Sequence, residues 1–496
     1  MSVARGASYI MIQLLVTDAA MAISFSILAR LIAQKEMGIL AVLTFVTNMS
    51  LTVAGFGLPE AVTRFVSGRL SRGESDIASI FYQAIRITSI FAGLLGAVVF
   101  AGASFVSVGL LGDTTYTAFF QILAADILVY AGALPILTSM MLGLHRFKQT
   151  AAFGILNALV RQSMIILLVI AFRNFVGLVT AWVAADFLAT SIYITYLWAV
   201  LGRPRFDFPL RTLVNFSWPL WLRDIVAFSY AWFDRALLLF FVPLATLGVY
   251  YATIMAFNVL DGISGAIATA LLPTYSALQQ PSQRQTLSDT ARFASRYSSF
   301  VVTPLALGLL ATSKGALTLF VGEAYAGGAG PLMILSGVIP FTLLGTLLTP
   351  MLSALGETRV ASAIKGASLV IGLLAAFALV PLLGLIGASL ARVLAMILGT
   401  VFTIVIVTRK VSIRLDFQAI SKSLIAGIVM ATVVLAVQIP YYDKFLLPVY
   451  VVVGGIVYLA MLRILRTVRQ EDIDLMREYL GHRLAFAADL LAKVLL

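Results

Sequence analysis

Cysteine is absent from this chain, so it has no disulfide framework, no thiolate metal site and no cysteine nucleophile. Histidine occurs only as His145 and His482, which leaves little for a metal centre or a serine–histidine hydrolase. No G-x-x-x-x-G-K-[ST] stretch is present, which argues against ATP hydrolysis within the chain. Charge is scarce as well. Asp, Glu, Lys and Arg make up 11% of the residues, against about a quarter in soluble domains. Polar connections are short throughout, and outer loops such as LLGDTTYT (110–117) leave no room for the extramembrane domain that a membrane glycosyltransferase or ligase needs. These absences point away from an enzyme, and neither a metal nor a resident cofactor is expected.

What the sequence has in abundance is hydrophobic residues, 61% of the total, with a mean hydropathy of +1.02. Apolar stretches recur along all 496 residues, each with the roughly 20 residues that span a hydrocarbon core about 30 Å thick. The expected fold is an all-α polytopic membrane protein with about fourteen transmembrane helices. The spans are predicted near 8–31, 37–62, 77–106, 117–142, 149–172, 176–201, 213–242, 246–275, 292–318, 328–354, 358–380, 384–408, 418–438 and 445–465. The first follows MSVARGASYI and lacks a small-residue cleavage site, so an uncleaved helix is expected rather than a signal peptide.

Lys and Arg set the orientation. With the N-terminus inside, roughly 23 of them fall on the cytoplasmic side, including Arg64, Arg69, Arg72, Arg146, Lys148, Arg284, Arg292, Arg409 and Lys410. Only about five, Arg30, Lys35, Arg173, Lys314 and Lys444, fall outside. An even number of spans then places both termini in the cytoplasm. The net charge of +12 is therefore a topology signal that suits anionic lipid headgroups, and no nucleic-acid partner is expected. In the tail, 466–496, Ile473, Met476, Leu480, Leu484, Leu491 and Val494 form one helical stripe, as in a helix lying on the inner membrane surface.

The chain also repeats itself weakly at an offset near 210. EMGILAVL (36–43) pairs with TLGVYYAT (246–253), aligning Gly38 with Gly248. FGLPEAV (56–62) pairs with ALLPTYS, LGLHRF (142–147) with LGETRV, and VGLVTAWVAADFLA (176–189) with LGLIGASLARVLA. Six helices per copy keep both copies in one orientation, an architecture that holds substrate between two lobes near the midplane. The domains are accordingly 1–201 (a six-helix lobe), 202–212 (a cytoplasmic linker), 213–408 (a second six-helix lobe), 409–465 (two added helices) and 466–496 (the tail).

About a dozen ionisable residues fall inside spans: Asp18, Arg86, Asp126, Arg161, Asp186, Arg223, Asp224, Asp234, Arg235, Asp261, Lys365 and Arg392. Facing lipid, each would cost about 2.5–3.5 kcal/mol. The sum, some 30 kcal/mol, exceeds the roughly 5–15 kcal/mol that holds a fold together. Most must pair, snorkel or line a hydrated cavity. Candidate cavity residues are Asp18, Arg86, Asp126, Arg161, Arg223, Asp234, Arg235, Asp261 and Arg392, each of which has a competing reading as half of a structural ion pair. Adjacent Asp234 and Arg235 point about 100° apart and need not pair with each other. Tyr230, Trp232, Tyr250 and Tyr251 read first as an interfacial aromatic belt and second as rings for stacking on sugars.

The segment 216–278, with FSWP at 216–219, Asp234-Arg235, GVYYA at 248–252 and LLPTYSAL at 271–278, resembles the start of the second lobe in polysaccharide-export flippases. LARLIAQKEMGILAV (28–42), GLPEAVTRFVS (57–67) and 355–392 extend the likeness over nearly the whole chain. These flippases belong to the multidrug/oligosaccharidyl-lipid/polysaccharide (MOP) superfamily. The resemblance implies a V-shaped pair of six-helix lobes around a cationic cavity, plus two C-terminal helices. It implies a flippase for a lipid-linked oligosaccharide on a polyprenyl phosphate, in the cytoplasmic membrane, feeding surface polysaccharide or glycoprotein assembly. Membrane lipids and, as protein partners, glycosyltransferases or a polymerase of the same pathway follow; a monomer is expected. Arg161, Arg86, Arg223 and Arg392 are the phosphate candidates by chemistry. The alternative within the superfamily is a cation-coupled multidrug antiporter, for which Asp18 would carry a proton or Na+. A major-facilitator protein is disfavoured because FVSGRLSRGESD lacks that class's loop motif.

Overall fold

An apolar chain in lipid must satisfy its own backbone hydrogen bonds, and a helix does so within one segment. The computed structural model describes residues 3–74, 77–172, 175–203, 206–411, 413, 415–440, 442–467 and 470, and no strand occurs among them. The tail helix expected over 466–496 lies almost entirely outside the described residues, as does Arg173.

The chain forms two compact units, Met1–Tyr251 and Ala252–Leu496, called units 1 and 2. Unit 1 contains α1 (Val3–Leu31), α2 (Gln34–Gly55), α3 (Leu58–Ser71), α4 (Ala78–Ala101), α5 (Ala103–Leu111), α6 (Thr117–Asp126), α7 (Leu134–Gly143), α8 (Phe147–Phe172), α9 (Phe175–Leu201), α10 (Leu210–Phe241) and the first turns of α11 (Leu244–Ala277). Unit 2 continues α11 and adds α12 (Arg284–Val321), α13 (Ala329–Ala354), α14 (Thr358–Leu383), α15 (Leu385–Val411), α16 (Phe417–Gln438) and α17 (Leu447–Ile464). The unit boundary falls inside α11, whereas the linker read from the sequence, 202–212, joins α9 to α10 within unit 1.

Among the described residues, thirteen helical segments are long and apolar enough to cross a membrane. The remaining span of the sequence count is α10, long enough at 32 residues but carrying Arg211, Arg223, Asp224, Asp234 and Arg235. Large apolar side chains cover the outer faces. Leu94, Leu167, Leu374 and Ile456 are each more than 60% exposed, a surface that only lipid covers at low cost.

Local chemistry explains where helices break. The span expected at 37–62 ends at Gly55, because Phe56 (φ 46°) and Gly57 (φ 67°) turn left-handed and Pro59 opens α3. The turn is held from outside: the Phe56 ring stacks on Phe91 at 5.6 Å and packs on Trp221 at 5.0 Å. A Cβ on Gly57 would strike the α10 backbone at Ser217 and Trp221, so α10 lies directly on this turn. The span expected at 117–142 is also interrupted. After Asp126 the chain makes a π-turn, Ile127–Ala131, with Gly132 N–H donating to the Ile127 carbonyl at 3.2 Å. Pro135 then has no N–H for the preceding turn, and α7 starts afresh.

Side chains of α3, α4, α7 and α9 close one end of unit 1 with Leu58, Val62, Val66, Ile80, Leu137, Met140 and Leu197. In unit 2, α12, α13 and α15 form the centre, and α14 packs along α15. The last two helices attach to α12. Ser423 donates to the Ser299 carbonyl at 3.0 Å and shares a 2.7 Å hydrogen bond with Tyr458, above an apolar seam of Leu307, Met430 and Val434.

Candidate functional site

The interior of unit 1 holds two charge clusters. In the first, Arg161 near the middle of α8 reaches Asp186 near the middle of α9, with Nη1 to Oδ1 at 3.4 Å. Asp126, the last residue of α6 before the π-turn, is the second carboxylate neighbour of this pair. Asp126 and Asp186 are both 0% exposed. Two rings flank the guanidinium: Trp182 at 4.8 Å and Tyr130, inside the π-turn, at 5.5 Å. Helical spacing explains this set, because Trp182 precedes Asp186 by four residues and Tyr130 follows Asp126 by four. None of the four carboxylate oxygens has a hydrogen-bond partner among the described residues.

The second cluster is on α10 and the start of α11. Asp234 is 0% exposed; its Oδ2 accepts from the Tyr250 hydroxyl at 2.8 Å and its Oδ1 from the backbone N–H of Arg235 at 2.8 Å. Asp234 and Arg235, whose Cβ directions alone do not require pairing, are in contact. Arg235 Nε lies 3.6 Å from Asp234 Oδ1, while Nη2 donates to the Ala231 carbonyl one turn back. A long flexible side chain can fold along its own helix, so a difference in Cβ direction does not prevent contact. The Arg235 guanidinium lies 3.9 Å from the Trp232 ring centroid. A crevice of about 10 Å³ lined by Phe45, Trp232, Arg235 and Leu247 leaves space for about one water.

Tyr251 lies between the clusters. Its hydroxyl is 3.5 Å from Thr44 Oγ1 on α2, its ring meets Phe25 of α1 edge-on at 5.7 Å, and Arg161 and Arg235 both act on it electrostatically. Tyr250 (0% exposed), Tyr251 (5%) and Trp232 (9%) are therefore interior groups. The aromatic-belt reading is corrected for these three: in place of the interface, they meet buried ions that need hydrogen-bond donors and polarisable faces.

The other candidates have surroundings of their own. Arg223 pairs with Glu60 of α3 at 2.6 Å and with Asp224 at 2.9 Å, all three partly exposed. Arg86 stacks on Phe206, between α9 and α10, at 5.2 Å. Asp18 is exposed on α1, and Lys365 is exposed on α14. In unit 2, Asp261 of α11 has Arg392 of α15 as its charged neighbour, with Arg392 8% exposed. The sequence reading thus named Asp126, Arg161, Asp234 and Arg235, but did not assign the hydrogen-bonding role of Tyr250, the flanking rings Tyr130 and Trp182, or Glu60. The four-residue spacings around Asp126 and Asp186 were the available signal.

The fold is shared with known membrane transporters. The lipid II flippase MurJ in an inward closed conformation superposes with a TM-score of 0.76 at 14% identity, over 94% of this chain and 99% of that one. An inward-facing multidrug resistance MATE family transporter of the MOP superfamily gives 0.60 at 15% identity, over 80% of this chain and 94% of the other. At these identities the likeness is one of fold. Residues 27–329 match the family described as "Polysaccharide biosynthesis protein", and the chain belongs to that family. Among its relatives in Haloferax volcanii are the "Probable low-salt glycan biosynthesis flippase Agl15", 22% identical over 82% of this chain and 83% of the relative, and the "Probable flippase AglR", 25% identical over 67% and 70%.

Proposed function

We propose that this protein is a flippase that moves a lipid-linked oligosaccharide, a glycan on a polyprenyl phosphate, across the cytoplasmic membrane by alternating access, supplying surface polysaccharide or glycoprotein assembly. The observation that carries this reading is the match to flippases of glycan biosynthesis along most of the chain, joined to family membership. The interior of unit 1 supports it chemically. Guanidinium groups beside aromatic rings, Arg161 with Trp182 and Arg235 with Trp232, suit phosphate and the apolar faces of sugars. Arg86, Arg223 and Arg392 are further phosphate partners in this reading. Both termini face the cytoplasm, in keeping with the Lys/Arg distribution. The protein works as a monomer beside the glycosyltransferases or polymerase of its pathway, with no resident cofactor, no chemistry of its own and H+ or Na+ as the coupling ion.

A cation-coupled multidrug antiporter is the second reading, favoured by the fold likeness to the multidrug transporter. Proteoliposomes carrying labelled polyprenyl-pyrophosphate glycans separate the two. The flippase reading expects ATP-independent movement of the glycan headgroup between leaflets, faster than in protein-free vesicles. No acceleration with several glycans, together with extrusion of cationic dyes, would establish the antiporter instead.

A further inference from the structure

The Asp126–Asp186–Arg161 cluster has a charge that its surroundings leave unbalanced. Two carboxylates face one guanidinium, so the ionised trio carries one net negative charge away from solvent. Buried ions normally satisfy their lone pairs with hydrogen bonds, and all four carboxylate oxygens lack them here. The nearby indole Nε1–H of Trp182, on a side chain 5% exposed, also lacks a partner that meets hydrogen-bond geometry. The charged and titratable groups facing the pair are Arg161 of α8 and Tyr130 of the π-turn. Among the other helices packed on the π-turn, α2 and α4 carry Lys35, Glu36 and Arg86. Lys35 and Glu36 sit in the first turn of α2, and Arg86 stacks on Phe206.

We propose that Asp126 and Asp186, held by Arg161, form a binding site for a single proton that powers this transporter. One proton on the pair gives a carboxyl O–H that donates to the facing carboxylate, while that carboxylate stays paired with Arg161. The trio is then neutral, and one orphaned acceptor gains a donor. Release of the proton restores two like charges side by side in a low-dielectric interior, where they repel. A proton fits better than Na+, because only two carboxylates meet here and the Arg161 guanidinium already stands as a cation against one of them, leaving too few oxygens for a sodium shell. A cavity of about 220 Å³ in the α8–α9 seam is lined by Val160 and Ala185, the residues next to Arg161 and Asp186. Asn157, one turn from Arg161, contributes a buried Oδ1 without a partner there. The π-turn after Asp126 gives the broken helix a place to move when the charge changes.

The driving role rests on the transporter reading; the proton site does not, and two measurements keep them apart. Infrared spectroscopy of the full-length protein in nanodiscs reads protonated carboxyl groups directly. The wild type is expected to show, near neutral pH, a protonated-carboxyl band that disappears in both Asp126→Asn and Asp186→Asn, survives in Asp207→Asn and is unchanged when sodium replaces choline. Absence of a band assignable to the pair, or a response to sodium at fixed pH, overturns the site; if one variant does not fold, the other carries the comparison. In proteoliposomes, an imposed pH gradient is expected to speed glycan movement by the wild type, with that response lost in both variants. A proton band without a gradient response overturns the driving role and leaves flipping intact. Failure to flip at all, with the band present, overturns the proposed function instead.

Discussion

Both units bury ions, but in different places and with different degrees of satisfaction. In unit 2 the well-supported cluster sits where helices meet a connection. Asp416, just before α16, takes Arg296 at 3.5 Å and Arg292 at 3.6 Å on Oδ2, and caps α16 by accepting from Ala419 N–H at 3.0 Å on Oδ1. Arg296 also donates to the Thr467 carbonyl at 3.2 Å, so one cluster ties α12 to the start of α16 and to the segment after α17. In unit 1 the Asp126–Asp186–Arg161 cluster lies within the helices and keeps four carboxylate oxygens without donors. An ion cluster at a connection whose carboxylate has a donor on each oxygen, as Asp416 does, fixes a fold, whereas one inside a bundle whose carboxylates lack donors is available to change partners. The carboxylates of both clusters are buried, and the donors they accept from are what separate them.

The comparison can be broken most easily at Asp416. Asp416→Ala leaves Arg296 buried without its carboxylate and uncaps α16, so a loss of about 3–5 kcal/mol is expected. Thermal denaturation in detergent and abundance in membranes read it; a variant as stable as the wild type would remove the structural half of the contrast. A middle case is Tyr250→Phe in unit 1, which takes one donor from buried Asp234 and should cost about 1–3 kcal/mol. Asp234→Asn should preserve abundance better than Asp416→Ala while slowing glycan movement, and equal degradation of the two would make Asp234 a structural residue. The smallest effect belongs to Lys444→Ala. Its partner Glu323, 3.1 Å away, is 64% exposed, so the change in stability should stay within about 0–1 kcal/mol.

Much of this was legible in the sequence, for reasons that differ by residue. Apolar runs have one solution in lipid, so the helices followed from hydropathy; the break at Gly102 between α4 and α5 was read through, as were those at Phe56–Gly57 and Ile127–Ala131. The last two breaks depend on Trp221 and Phe91 packing on one of them and on a π-turn register in the other, neither of which a hydropathy profile contains. The two glycines that the repeat aligns, Gly38 and Gly248, lie on helices that touch. A Cβ on Gly38 would strike the Leu244 carbonyl, and one on Gly248 the Gln34 carbonyl, a reciprocal contact at the offset that aligned the two glycines.

By itself the sequence determined the class of molecule: a helical membrane chain, its family likeness, and the presence of more ionised groups than lipid tolerates. These follow from composition and local order, which neighbouring residues settle between themselves. Tertiary structure decided which ions meet. Arg161 finds Asp186 on the next helix, Asp234 finds Tyr250 across a turn, and Asp126 joins its carboxylate neighbour from a third helix. Such pairings depend on how helices rotate and dock, and a one-dimensional pattern fixes neither.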